Sequence, residues 1–78
     1  MQVIDADKLR RARIRKDWSQ RTLAVLCKRS QMTIYRIETG KRDTIDEKFA
    51  MTLARLLDVN PEDVFADLPT SRVADRSG

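Results

Sequence analysis

WSQRTLAVLCKRSQMTIYRIETGKR, residues 18–42 of the 78-residue chain, decides the fold. Ser19 supplies a hydroxyl that accepts from the free amides at a helix start, and Leu23, Ala24 and Cys27 follow at helical spacing. After Lys28 and Arg29 a second capping hydroxyl, Ser30, opens another helix. Its apolar residues Ile34 and Ile37 stand three apart, and Gly40 marks its end, where a left-handed stop costs least. The stretch therefore predicts two short helices in close succession, the second barely two turns long.

Working outward toward the N-terminus, Asp5 or Asp7 caps a first helix that runs to about Lys16, with Leu9, Ala12, Arg13 and Lys16 on one side. Leu9 and Ala12 face the core, while Arg10, Arg11 and Arg15 form a charged exterior. The short segment Met1 to Asp5 carries Val3 and Ile4, which either pack on the domain or extend as an arm. Toward the C-terminus, Asp43 to Asp46 is a loop with two candidate caps: Thr44 with Glu47 makes a capping box, and Asp46 starts a helix two residues later. Phe49, Ala50, Leu53, Ala54, Leu56 and Leu57 then form the broad apolar stripe of a fourth helix buried along one face. Asn60-Pro61-Glu62-Asp63 joins a cap to a proline at the first helical position and acidic residues in the first turn. It predicts a short fifth helix that carries Val64, Phe65 and Leu68 inward. Pro69 ends it, and PTSRVADRSG has too little apolar content to offset the entropy of ordering. The expected organisation is one all-α, compact five-helix domain over 1–68 and a flexible tail over 69–78.

A chain of this length forms one domain at most, burying only about 60% of the surface exposed when unfolded. With 41% hydrophobic and 36% charged residues and only two glycines and two prolines, it is an ordered soluble domain with a small core. The formal charge of +4 is modest, but its distribution is not: Met1 to Arg42 is net +8 and Asp43 to Gly78 net −4. A positive field on one part of the molecule suits a phosphate backbone and equally a solvated basic helix. No apolar run approaches the length needed to cross a bilayer, and the N-terminus lacks the apolar stretch of a secretory signal, so the expected location is the cytoplasm. One cysteine, Cys27, and no histidine exclude an internal disulfide, a thiol–imidazole couple and a zinc cluster. Cys27 reads as a small buried hydrophobe. The carboxylates are scattered on solvated positions; neither metal, cofactor nor small-molecule ligand is implied, and the chain is not read as an enzyme.

Two short helices in succession, the second opening on hydroxyl and amide side chains, are the layout of a helix-turn-helix over residues 19–39. Residues 18–42 resemble the Xre/Cro family of phage and bacterial regulators, whose pattern runs close to LSQ-x-x-LA-x-x-x-G-V-S-x-x-T-I-x-R-I-E-x-G-K-R. Ser19, Gln20, Leu23, Ala24, Ser30, Thr33, Ile34, Arg36, Ile37, Glu38, Gly40, Lys41 and Arg42 fall on matching positions, and the wider likeness covers Leu9 to about Leu68. The resemblance implies a lambda-repressor-like fold and a sequence-specific regulator of transcription that binds a double-stranded DNA operator, commonly as a homodimer. Three positions depart from the pattern: Lys28 and Asp17 stand where glycine is common, and Arg29 where the family is apolar. At Lys28 either a strained lysine is admitted or the turn takes another path.

With the helix 31–39 in a major groove, Ile34 and Ile37 point home and Gln31, Met32, Tyr35 and Arg36 are left as readers of base edges. By resemblance Gln31, Met32 and Arg36 occupy base-contact positions, and Thr33 and Tyr35 lie on the flanks. Gln31 suits adenine, Arg36 the O6 and N7 of guanine, and Met32 a thymine methyl; the alternative is a solvated helix face. Ser19 and Gln20, at the positive end of a helix dipole, are expected to hold phosphate, with Thr33 beside them. The family places Thr39, Lys41 and Arg42 against the same strand, and implies an ion pair between Arg13 and Glu38. The dimer surface falls on the fifth helix with Phe65 and Leu68 or on the Val3-Ile4 segment. Size suits a phage Cro-like protein, a restriction-modification controller or an antitoxin; the rival class is a protein–protein interaction module on the same fold.

Overall fold

A computed structural model describes residues 1–67 of the chain. Its elements are β1 (Gln2–Val3), α1 (Ala6–Arg15), α2 (Gln20–Cys27), α3 (Gln31–Glu38), α4 (Glu47–Leu57), α5 (Pro61–Val64) and β2 (Phe65–Ala66). Each helix starts where a short polar side chain can replace the acceptor that its first turn lacks. The Lys8 amide donates to Asp5 Oδ1 at 3.0 Å, which fixes Asp5 as the first cap. Asp7 instead lies in the first turn of α1, paired with Arg11 at 2.9 Å. Ser19 and Ser30 cap α2 and α3 by accepting from the Thr22 and Thr33 amides at 2.9 and 3.2 Å. Asp46 begins α4, accepting from Phe49 N at 2.8 Å, so the capping box offered by Thr44 and Glu47 does not form.

The core collects one face of every helix. Leu9 and Ala12 from α1, Leu23, Ala24 and Cys27 from α2, Ile34 and Ile37 from α3, and five residues of the α4 stripe are buried together. Leu56 lies at the rim of the stripe and is only half-buried. Ala24 and Ala50 keep the packing distance short, since a larger side chain at either would hold two helices apart. Ile45, in the loop before α4, is buried as well, a contribution that no helical periodicity marks.

The two ends of the described segment meet in a two-stranded antiparallel ladder that the helical patterning does not foretell. β1 pairs β2 with Gln2 opposite Ala66 and Val3 opposite Phe65, and the Ile4 amide donates to the Val64 carbonyl at 2.8 Å. The N-terminal segment is thus packed and not an arm: Val3 lies against the core, although Ile4 stays exposed. α5 is correspondingly shorter than the sequence suggests. It stops at Val64, and Phe65 reaches the core from extended backbone. Leu68 and the tail 69–78 lie outside the described residues.

The ends of α1, α2, α3 and α4 share one device. A residue with positive φ, Asp17 (63°), Lys28 (60°), Gly40 (78°) or Asp58 (59°), turns the chain. The amide of the next residue then reaches back five positions, as Arg29 N does to the Ala24 carbonyl at 2.9 Å and Lys41 N to the Arg36 carbonyl at 2.9 Å. Lys28 therefore follows the ordinary path in the left-handed conformation, at a cost of about 1–2 kcal/mol. Arg29, where an apolar residue is usual, spreads its guanidinium over the Phe49 ring, 4.3 Å from the centroid, with Asp46 3.8 Å away. The stem covers core and the charge stays at the surface.

Beneath α3 lies the strongest polar contact. Arg13 Nε donates to Glu38 Oε2 at 2.7 Å and its Nη2 to Oε1 at 3.0 Å, while Nη1 donates to the Trp18 carbonyl at 2.7 Å. Gln20 Nε2 adds a donation to Glu38 Oε1 at 3.1 Å. The side chains of Arg13 and Glu38 are 11% and 4% exposed, so the pair is shielded from solvent and held in forked geometry. It joins the end of α1, the turn after it, the start of α2 and the end of α3.

Two stability predictions follow from these contacts. Lys28→Gly relieves the left-handed strain, partly offset by a freer unfolded chain, and should stabilise by about 0.5–1 kcal/mol, visible as a rise of a few degrees in Tm. A fall in Tm would show that Lys28 is unstrained. Glu38→Ala leaves Arg13 shielded and without its carboxylate, and should cost about 3–5 kcal/mol in denaturant unfolding. The Arg13→Ala, Glu38→Ala double variant should lose less than the sum of the two singles. Strict additivity would mean that the pair is not coupled.

Candidate nucleic-acid interface

α3 has two sides with different chemistry. Ile34 and Ile37, both 2% exposed, pin it to the core. On the opposite side Gln31, Met32, Tyr35 and Arg36 are all exposed, Met32 at 54% and Tyr35 at 42%. These four recur at i, i+1, i+4 and i+5 and so form a continuous stripe along the helix. Gln31, Met32 and Tyr35 border a shallow groove whose far wall is Gln20 at the start of α2. The structure therefore brings Gln20 and three of the sequence-predicted base readers to one surface.

The expected phosphate-holding residues divide by what their side chains already do. Ser19 Oγ accepts from the Thr22 amide and donates to Thr22 Oγ1 at 3.0 Å, so its hydrogen is engaged. Thr33, half-buried, shares a hydrogen bond of 2.9 Å with Ser30 Oγ. Thr39 Oγ1 donates to the Tyr35 carbonyl at 2.8 Å, closing the last turn of α3. Gln20 commits one amide hydrogen to Glu38 and keeps the second. Lys41 is exposed, and Arg42, also exposed, donates through Nε to the Thr44 carbonyl at 3.2 Å. Among the described residues neither Arg36 nor Lys41 has a carboxylate partner. With the Thr22 amide taken by Ser19, the Gln20 and Arg21 amides at the start of α2 have no intrahelical acceptor and add partial positive charge beside the groove.

Cys27 is buried, and burial raises its thiol pKa, so it stays a protonated thiol that packs against its neighbours. Its Sγ lies 3.7 Å from the Ala24 carbonyl. Two features near the candidate interface have no sequence signal strong enough to find them. One is the support of Glu38 by Gln20, which only the folded crossing of α2 and α3 reveals. The other is the two-residue strand β1, too short to show alternation.

Comparison with known proteins agrees with this fold. A family model described as a helix-turn-helix domain matches residues 6–68. Among solved structures, the chain is similar in fold to the master regulator for biofilm formation SinR, determined in complex with DNA, with 19% identity and a TM-score of 0.69. That likeness covers 76% of this chain and 94% of SinR. It is also similar to the restriction-modification controller protein C.AhdI from Aeromonas hydrophila, with 32% identity, a TM-score of 0.67, and coverage of 77% of this chain and 89% of that one. The curated proteins offer no match. The match over most of the chain and the order of its helices lead to one conclusion: this protein belongs to the helix-turn-helix domain family.

Proposed function

We propose that this protein is a sequence-specific double-stranded DNA-binding regulator of transcription that reads an operator with α3 in the major groove. The observation that carries the reading is the two-sided α3: an anchored inner face and an outer stripe of Gln31, Met32, Tyr35 and Arg36. Its outer chemistry suits base edges. Gln31 pairs with the N6 and N7 of adenine, Arg36 with the O6 and N7 of guanine, and Met32 packs on a thymine methyl, with Tyr35 on the flank. Around it, Lys41 and Arg42 hold phosphate as charged donors, and the Gln20 and Arg21 amides at the start of α2 do so through the helix dipole. Gln20 borders the same groove, and Ser19, Thr33 and Thr39 are assigned backbone contacts that shape the fit more than they supply charge.

Net +8 over residues 1–42 suits a polyanionic partner. SinR, similar in fold, was determined in complex with DNA. The 32% identity with C.AhdI favours a restriction-modification controller among the roles that such a regulator can fill. The activity is binding alone, without bond making or breaking. Since one module offers a small interface, binding as a homodimer to half-sites about one helical turn apart completes the reading.

Selection of bound sequences from a random duplex pool tests it, with a palindrome as the expected outcome. On the selected site, Arg36→Ala should cost about 1–3 kcal/mol and relax preference at one base pair. Lys41→Ala should weaken all duplexes alike and lower the salt slope of log K by about one. Uniform losses from both variants, or binding indifferent to salt between 50 and 200 mM, would overturn the assignment.

A further inference from the structure

We propose that β1 is a positioning element for DNA binding: it clamps the segment that carries the phosphate-holding cations, although no residue of β1 itself touches DNA. The inference rests on the DNA-binding reading above.

β1 has backbone partners on both of its edges. On one edge it pairs with β2, Gln2 opposite Ala66 and Val3 opposite Phe65, and Ile4 N continues the pairing to Val64. On the other edge it meets the loop between α3 and α4. Val3 N donates to the Asp43 carbonyl at 2.7 Å, Ile45 N donates to the Met1 carbonyl at 2.9 Å, and Gln2 bridges Thr44 in antiparallel fashion. The strand thus stitches residues 43–45 to residues 64–66. Thr44, which forms no cap for α4, finds its place here.

The stitched segment directly follows Lys41 and Arg42. Both cations are exposed, and their amides reach back to the Arg36 carbonyl at 2.9 and 3.0 Å, so the upstream end of the loop is held by α3. Arg42 Nε donates to the Thr44 carbonyl, so one anchor's side chain hangs on the very residue that Gln2 bridges. Downstream, Ile45 is buried beneath the loop. With β1 removed, the loop would keep α3 at one end and Ile45 at the other but lose the pairing that sets the backbone between them. A charged side chain on a mobile loop must be ordered on binding, and its phosphate contact weakens accordingly.

The test compares the full chain with two variants, one lacking Gln2–Ile4 and one with Val3→Pro, which keeps the chain length and removes the donor to Asp43 together with the Val3 side chain that packs on the core. Affinity for the selected duplex is measured against salt concentration, beside the folded fraction by circular dichroism. Folded variants should bind more weakly, with a log-log salt slope shallower by up to about two for the Lys41 and Arg42 contacts, and with an unchanged ranking of operator sequences. A merely structural role would scale affinity by the folded fraction and leave the slope as it was, and that result overturns the proposal. Should neither variant fold, amide exchange on the parent chain decides. Val3 and Ile45 amides protected like those of the core support the clamp, and exchange at free-peptide rates overturns it. A parent chain that shows no salt-dependent DNA binding removes the functional reading itself, whereas a parent that binds with variants of equal slope removes only the clamp.

Discussion

The forked contact between Arg13 and Glu38 is the constraint on which the arrangement of the helices depends. α3 has eight residues, too few to be helical alone in water, so its conformation has to be imposed by neighbours. Ile34 and Ile37 supply the apolar part of that hold. They set its depth and which side faces inward, and leave the position of its last turn to be fixed by a further contact. That contact comes from a charged group with fixed geometry. Glu38 sits in the last turn of α3, where the helix dipole disfavours a carboxylate, and its shielding there is tolerable only because Arg13 and Gln20 satisfy both oxygens. The third donation from Arg13, to the Trp18 carbonyl, extends the same constraint to the turn between α1 and α2.

A second constraint is the way the helices stop. Four successive helices close with a left-handed residue and a backward amide, yet only α3 uses glycine for it. At Asp17 and Asp58 a short polar side chain tolerates the conformation, whereas Lys28 has no such relief. The turn between α2 and α3 is then a place where local preference yields to the crossing angle of the two helices. Arg29 compensates in part by stacking over Phe49, which closes the gap that a missing apolar side chain would leave at the start of α4.

How much of this was legible in the sequence follows from what kind of signal each feature leaves. Caps and apolar periodicity announced all five helices, because Ser19, Ser30 and Asn60 act within three residues of themselves and the stripe from Phe49 to Leu57 repeats often enough to be unambiguous. The choice between Asp5 and Asp7, and between Thr44 and Asp46, was open, since each pair offers the same chemistry two residues apart and only packing separates them. The strands β1 and β2 left no trace: two residues cannot display alternation, and their pairing joins positions more than sixty residues apart. The fifth helix was read too long for the same reason, as Phe65 serves a core equally well from helix or strand. On the candidate interface, the outer stripe of α3 was readable as whatever the inner pair Ile34 and Ile37 left over. What was not readable is the engagement of Ser19, Gln20 and Thr39 within the protein, because a hydroxyl or amide that matches a family pattern says nothing about where its hydrogen goes.

That engagement redistributes the work in the proposed complex. Hydroxyl hydrogens bound to Thr22 Oγ1 and to the Tyr35 carbonyl have to be released before they can serve a phosphate, and the exchange gains little, since one hydrogen bond replaces another. Groups with uncommitted donors face no such exchange: Arg36, Lys41, the second amide hydrogen of Gln20 and the backbone amides of Gln20 and Arg21, the Thr22 amide being taken by Ser19. Met32 and Tyr35 belong with them for a different reason. The inner side of α3 is already filled, so folding gains nothing from placing two large, largely apolar side chains on the outer side, where each loses its contact with water only if something covers it. One side of α3 is therefore specified by the fold and the other, in the proposed complex, by the partner, and the boundary between them runs between Ile34 and Tyr35, neighbours in sequence that face opposite ways.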